Sequence, residues 1–389
     1  MSHNQLFPYL RSRQEFTDLG LYIHVPFCRK RCHFCAFYLM VHREELVRAF
    51  LLALERELIL WGKELGPVPV STVYLGGGTP TSLNAKQLVR ILEVVNRIFL
   101  LTSQVEISIE ASPETVTLSA LQELRKAGVN RLSLGAQSFD ESVWEHLGRS
   151  GNIPDTRTAL EQARQVGFQN ISLDLMYGLP GQSLESWQQS LEEIIDLNPT
   201  HVSCYALTLE EGTRLYSAQH RGEVHVGDPE LENRMCQIAA SALTDAGYHQ
   251  YEVSNYCQFG YECRHNLRYW TFQDYLGLGP SAQSCIGRVR FGNVDNLSEY
   301  CRRLDDQEIP LASVEVMSKH QADRERVVFG LRLVNGLDIQ GLKQLAGDDQ
   351  WRGVVYQLIE EGLLCHDERT LRLTPYGRRF ADSVAVQLL

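Results

Sequence analysis

Tyr22-Ile23-His24-Val25-Pro26-Phe27-Cys28-Arg29-Lys30-Arg31-Cys32-His33-Phe34-Cys35 joins an apolar, strand-like run to three cysteines placed at C-x3-C-x2-C spacing. Three thiolates are one fewer than a closed tetrahedral zinc site or a fully protein-ligated 4Fe–4S cube takes. A cube held by three cysteines keeps one iron open for another ligand, so the shortage points to chemistry rather than to a structural staple. On spacing alone, a half zinc site completed by a distant residue, or three unrelated cysteines, are the competing readings.

From this stretch to about Ala206, short apolar or β-branched runs alternate with amphipathic ones. Leu21–Val25, Thr72–Leu75, Val105–Ile109, Arg131–Leu134, Ile171–Leu175 and His201–Tyr205 read as strands. Glu44–Trp61, Ala85–Phe99, Ser119–Lys126, Asp155–Val166 and Leu184–Asp196 read as helices, with Gly128 and Gly167 as candidate C-caps. Six strands alternating with helices predict an α/β fold: an incomplete TIM-like (β/α)6 barrel rather than a full eight-unit one. Past Gly222 the pattern changes to a helix over Glu230–Ala246, a Cys/Tyr/Trp-rich stretch and a Gly-rich loop over Gly277–Ser284. Helices over Ala322–Leu333, Asp338–Leu345 and Arg352–Glu361, a strand at Leu371–Leu373 and a last helix from Pro375, capped by Thr374, predict a smaller winged-helix-like tail. The expected divisions are an N-terminal segment 1–16, the barrel 17–222, a covering extension 223–318 and the C-terminal unit 319–389.

Composition narrows the function classes. The 389 residues are 44% hydrophobic and 22% charged, ordinary for a chain with a sizeable core. A net charge of −11 argues against a nucleic-acid surface and against electrostatic binding to an anionic membrane. No apolar run is long enough to span a bilayer, and the first residues lack a secretory pattern. Ten cysteines without a disulfide framework fit a reducing compartment, so the expected location is cytoplasmic.

In a parallel α/β barrel, functional residues gather at the C-terminal ends of the strands. The cysteines follow the first strand and Gly76-Gly77-Gly78-Thr79-Pro80 the second. Glu110 ends the third, Gln137 follows the fourth, Asp174 lies near the end of the fifth, and Arg149 opens the connection before the next helix. Any one of these is commonly a solvated loop end; their joint placement on one rim carries the functional reading.

With these residues in hand, the sequence resembles the group of radical S-adenosylmethionine (SAM) proteins that contains the oxygen-independent coproporphyrinogen III oxidases and the related haem chaperones. The matching segments are Tyr22–Cys35, Gly76–Thr81, Ile107–Pro113, Arg131–Phe139, Asp174–Pro180, His265–Trp270 and Leu276–Ser284. The resemblance implies a 4Fe–4S cluster on Cys28, Cys32 and Cys35, whose open iron chelates the methionine part of SAM and whose electron cleaves the sulfonium to a 5′-deoxyadenosyl radical. It places Tyr22 and Phe34 beside SAM, Gly77 near its amino group and Glu110 on its ribose hydroxyls. Gly78, Thr79, Gln137, Arg149, Asp174 and Ala206 match positions that surround a second SAM molecule in the oxidase.

Two features lean from oxidase to chaperone. Phe37 stands two residues after the last cluster cysteine, where oxidases usually carry a fourth cysteine. His265-Asn266-Leu267-Arg268-Tyr269-Trp270 resembles the chaperones' haem-binding motif, with His265 as iron ligand, Tyr269 and Trp270 as flat apolar surface, and Arg264 and Arg268 for the propionates; a satisfied core histidine beside buried aromatics is the competing reading. The stretch before Thr17 is also shorter than the oxidases' extension. Cys257 and Cys263 flank the motif at a spacing that fits no common metal site. The first expectation is therefore a haem carrier binding cluster, SAM and haem. Its recipient would be a membrane-bound respiratory haemoprotein, and cluster or SAM would regulate dimerisation to a homodimer, or release. The alternative is oxidative decarboxylation of two propionates of coproporphyrinogen III to vinyl groups, in porphyrin biosynthesis, with an electron donor the sequence does not identify.

Overall fold

Alternation along the expected strands sorts their side chains into two faces. The computed structural model describes Leu6, Phe7, Leu10 and residues 18–226, 228–340 and 345–389. In it Leu19–Val25 (β1), Pro69–Gly77 (β2), Leu100–Ala111 (β3), Arg131–Gln137 (β4), Asn170–Tyr177 (β5) and His201–Ala206 (β6) lie side by side, all parallel. Leu21, Ile23, Val73, Leu75, Ile109, Leu132, Leu134, Leu173, Leu175 and Val202 enter the core. The alternate positions are polar: Tyr74, Glu106, Glu110, Arg131, Ser133, Ser172, Asp174, His201 and Ser203 occupy the other face, and several bond one another across strands.

Helices Glu44–Leu65 (α1), Ala85–Ile98 (α2), Leu118–Lys126 (α3), Glu141–Leu147 (α4), Ile153–Val166 (α5) and Leu184–Leu197 (α6) fill the connections. Asn84 with Gln87 and Asn152 with Asp155 close capping boxes at the starts of α2 and α5. Gly167 ends α5 in the left-handed region at φ 94°, as only glycine does without strain.

Beyond residue 222 come Pro229–Asp245 (α8, after the short Arg214–His220, α7), the hairpin His249–Glu252 (β7) and Asn255–Cys257 (β8), and Arg264–Trp270 (α9). Tyr275–Leu278 (β9), Gln283–Ile286 (β10), Val289–Asn293 (β11), Leu297–Asp305 (α10) and Leu311–Val316 (β12) follow. All these strands join the barrel sheet, whose order is β12-β11-β10-β9-β1-β2-β3-β4-β5-β6-β8-β7. The sheet stays open rather than closing, as an incomplete barrel requires. The expected Gly-rich loop over Gly277–Ser284 is corrected at its ends: residues 279–282 form the loop, while Gly277 and Leu278 close β9, a seventh parallel strand beside β1, and Gln283 and Ser284 open β10. Gly277 is there because a Cβ would meet the Gln283 carbonyl at 2.2 Å.

One apolar core runs from Leu6 to Leu311 without a break near residue 222, and Phe7 packs on Trp61. The rest of the 1–16 segment lies outside the described residues. A second core holds Lys319–Gly330 (α11), Asp349–Glu360 (α12) and Ala381–Leu388 (α13) against a small antiparallel sheet. That sheet has the order Leu337–Asp338 (β13), Thr370–Leu373 (β15), Leu364–His366 (β14). The helix expected from Asp338 is corrected at its start: Gly336 turns at φ 67° into β13, and residues 341–344 are outside the described set. Thr374 Oγ1 accepts from Gly377 N–H at 2.8 Å, but the turn it caps is a short 3-10 turn, with α13 starting at Ala381. No helix among the described residues is long and apolar enough to cross a membrane.

Candidate cluster and cofactor site

Pro26 has no N–H to donate and ends β1. Phe27–Cys28 then pairs with Met40–Val41, closing the base of the cysteine loop. His33 N–H donates to Leu147 O and Leu215 N–H to His33 O, each at 2.9 Å, which moors the loop to α4 and α7. Phe34 packs beside Val143, Leu147 and Leu215. Cys28, Cys32 and Cys35 are all free thiols; the first is buried, the other two half-buried. Burial pushes Cys28 up to about 11 and raises Cys32 and Cys35 as well, while Arg149 pulls all three down. Thiols that hold protons this firmly become thiolates when a metal takes the protons' place. Thr79 Oγ1 lies 3.3 Å from Cys28 Sγ.

The glycines after β2 are explained by the protein itself. Gly77 has φ 111° and sits against the His24 ring, and a Cβ on Gly78 would lie 2.7 Å from Phe27 O. This close crossing lets Thr79 N–H reach Phe27 O at 2.7 Å, fixing the second strand's end to the cysteine loop. The free side of the crossing faces Glu110. That carboxylate accepts from Tyr74 Oη at 2.8 Å and Gly77 N–H at 3.2 Å, and burial raises it to about 7, with Asp174 adding to the rise. Asp174 accepts from Ser172 Oγ at 3.1 Å and Ser133 Oγ at 3.2 Å, and burial raises it too.

Gln137 holds φ 65° at the end of β4, a conformation non-glycine residues adopt at a cost and commonly at functional sites. Arg149 donates to Gly135 O at 2.9 Å and Ser112 Oγ at 3.2 Å, with its guanidinium 5.2 Å from the Trp144 ring centroid. Its Nε is buried without a partner among the described residues. Ala206 is exposed at the end of β6. The strand ends thus bring cysteines, Thr79, Gly76–Gly78, Glu110, Gln137, Arg149 and Asp174 to one rim. Three thiols beside a carboxylate, a glycine backbone without side chains and an unsatisfied guanidinium nitrogen are a donor set that fits a three-cysteine cluster with a polar ligand on its open iron. Tyr22 lies deeper, its hydroxyl 3.1 Å from His24 Nδ1 and its ring stacked with Tyr74. Tyr74 and His24 escaped the sequence reading; their signal was the alternation itself, since Tyr74 and Gly76 share a face of β2.

The haem motif is placed differently from its expectation. His265 is 1% exposed, inside the barrel near the start of β2 rather than on the rim. Thr72 Oγ1 sits 2.8 Å from its Nδ1 and Tyr269 Oη 2.8 Å from its Nε2, and Tyr74 stacks on the ring at 5.2 Å. Burial lowers its pKa to about 3, so the ring is neutral. Arg268, expected on a propionate, is buried and ion-paired with Asp18, and also donates to Ser71 Oγ at 2.7 Å. Arg264 donates to Gln104 O at 2.5 Å. Trp270 stacks on Phe329 of α11, with the Arg332 guanidinium 4.7 Å from its ring centroid. In this arrangement α9 plugs the barrel floor and docks the C-terminal unit. The residue types alone fit either a haem contact or a core histidine beside buried aromatics, and the structure shows the buried arrangement.

Comparison with known proteins agrees with this architecture. Residues 22–194 match the Radical SAM superfamily and residues 317–380 the HemN C-terminal domain. Heme chaperone HemW of Bacillus subtilis is 35% identical over 93% of this chain and 97% of its own length, and that of Mycobacterium tuberculosis 36% identical over 95% and 94%. Radical S-adenosyl methionine domain-containing protein 1, mitochondrial, of Bos taurus is 32% identical over 95% and 87%. The crystal structure of coproporphyrinogen III oxidase (HemN) from Escherichia coli superposes with a TM-score of 0.88 at 27% identity, covering all of this chain and 93% of that one. The chain belongs to the HemW family of radical SAM proteins.

Proposed function

We propose that this protein is a haem carrier that holds a 4Fe–4S cluster on Cys28, Cys32 and Cys35, binds SAM at the rim, and passes haem to a haemoprotein. The observation that carries the reading is the match, over nearly the whole of both chains, to curated heme chaperones. Phe37 supports it: two residues after Cys35, its side chain is exposed instead of offering a further thiol. When bound, the cluster with SAM supplies one-electron chemistry. This chain's residues bind and orient. Glu110 accepts the ribose hydroxyls, Gly77 presents its backbone to the methionyl ammonium, and Arg149 brings its free Nε to the rim beside Gln137 and Asp174. Phe34 and the apolar patch around Leu215 exclude water from one side of the loop.

Haem recognition through His265 carries a structural cost in this reading. In either tautomer one ring nitrogen donates and the other accepts, Nδ1 with Thr72 Oγ1 and Nε2 with Tyr269 Oη, so the lone pair an iron needs is already occupied. Haem ligation there requires Tyr269 to let go and α9 to lift from β2. A membrane-bound respiratory recipient, and a homodimer regulated by cluster or SAM, belong to the same proposal.

The second reading, coproporphyrinogen III oxidation, is favoured by one observation: the oxidase superposes along this entire chain. Anaerobic incubation of cluster-loaded protein with SAM, reductant and coproporphyrinogen III, analysed by mass, separates the two. The carrier reading expects no vinyl product; product that depends on Cys28, Cys32 and Cys35 would replace it with the oxidase.

A further inference from the structure

A second group of ligand-type side chains lies at the opposite end of the sheet from the cysteine loop. Cys257 pairs with His201, the first residue of β6, whereas the rim residue Ala206 is its last. His249 and Cys257 are direct cross-strand partners in the β7–β8 hairpin, so they project from the same face. The chain then reverses: Tyr261 N–H donates to Gln258 O at 3.1 Å and Gly260 takes φ 87°. This returns Glu262 to the pair. His249 Nε2, Cys257 Sγ and a Glu262 carboxylate oxygen all lie within 4.8 Å of one another.

The geometry points to a binding site for a divalent cation of the zinc class on His249, Cys257 and Glu262. Bond lengths of ~2.3 Å to sulfur and ~2.0 Å to nitrogen and oxygen put tetrahedral donors ~3.3–3.6 Å apart. Cys257 Sγ and His249 Nε2 are already 3.6 Å apart. His249 Nε2 and Glu262 Oε1 are 2.8 Å apart and need a rotation of the half-buried Glu262 side chain to open by about half an ångström. Both neighbours converge on one nitrogen. As an N–H it serves the carboxylate and leaves the thiol only the Tyr261 backbone as a partner; as a lone pair it faces carboxylate oxygen. A cation between the three satisfies all of them, with the Cys257 proton leaving to solvent and water taking the fourth position.

One independent feature fits; the buried His249 Nδ1, unpartnered among the described residues, has no bearing on it, since a cation on Nε2 leaves that nitrogen as it is. Phe259, 82% exposed, lies face-on over the His249 ring at 4.3 Å and 13°, covering the imidazole from solvent. Cys263, the neighbouring thiol, takes no part: its Sγ lies 3.8 Å from Glu106 Oε1. Glu262 directly precedes the N-cap of α9, so a bound cation would pin the turn from which α9 enters the barrel floor.

The test uses the full-length chain with Cys28, Cys32 and Cys35 all changed to serine, so that the cluster cysteines hold no metal. We expect it to retain one zinc per chain after dialysis and to show a thiolate-to-cobalt charge-transfer band with Co2+. Cys257→Ser, added to that background, should remove the band. Glu262→Gln, which still accepts the Nε2 proton and so keeps the apo fold, should weaken zinc by at least about tenfold. Zinc should raise the melting temperature of the background and leave that of the Cys257→Ser variant unchanged. Failure to retain zinc, or a cobalt band indifferent to Cys257→Ser, overturns the site and leaves a hydrogen-bonded pair only.

Discussion

Glu110 concentrates the account's residue-scale claims. Its carboxylate is half-buried, aimed at the rim and raised to about 7. Charge-assisted bonds to two hydroxyls are worth about 1.5–3 kcal/mol, so Glu110→Gln should weaken SAM binding by roughly 10–100-fold in equilibrium dialysis while the cluster absorbance stays. A carboxylate accepts more strongly than a carboxylic acid. Wild-type affinity should therefore rise from pH 6 to pH 8, and the Glu110→Gln variant should lose that dependence. At Tyr269 the expectation runs the other way. Tyr269→Phe removes the hydroxyl that occupies His265 Nε2, so haem titration should show tighter binding than wild type, and His265→Ala should lose the histidine-ligated spectrum. Identical spectra for all three would remove His265 from the haem site. At this scale the cysteine triad, Glu110, Gln137, Arg149 and Asp174 could be picked out in the sequence because strand ends and chemistry coincide there. Tyr74 and His24 could not, since their roles depend on which strands are neighbours. Arg268 was misassigned because its partner, Asp18, is 250 residues away.

Among the elements, the crossing of β2 over the cysteine loop is a tight joint. A methyl on Gly78 would meet Phe27 backbone, which has no rotamer with which to yield. Gly78→Ala should cost about 1–3 kcal/mol and lower the cluster retained per chain, read by iron content after desalting. A second joint is Glu57 of α1, fully buried, which accepts from Gly279 N–H at 2.7 Å, Asn293 Nδ2 at 2.6 Å and Tyr300 Oη at 2.6 Å. It ties β9, β11 and α10 to the first barrel helix. Burial raises its carboxyl from 4.5 to about 7 despite those donors. Between those pH values the folded protein keeps a proton that the unfolded chain releases. Stability from this group is full below about pH 4.5 and falls as pH rises towards 7, by up to about 3 kcal/mol. Chemical denaturation of wild type and Glu57→Gln across pH 5–8 should show that slope in the first and a flatter one in the second. The barrel strands were legible because apolar and polar residues alternate strictly. β9 was not, because its glycines look like a loop until Gln283 backbone is seen against Gly277.

For the molecule as a whole, one apolar core binds the barrel to its extension, and a smaller one builds the C-terminal unit. Val253 N–H to Arg332 O and Val334 N–H to Tyr251 O, at 2.9 and 3.1 Å, stitch the two together beside Trp270. The (β/α)6 plan and the tail were readable from periodicity; their docking through α9 was not, since the same six residues had been read as a ligand surface. The carrier reading rests on the whole chain, so its most direct test is a haem titration of full-length, cluster-loaded protein under anaerobic conditions. A saturable spectral change ending at one haem per chain is expected. A non-saturating, linear change with added haem would contradict it.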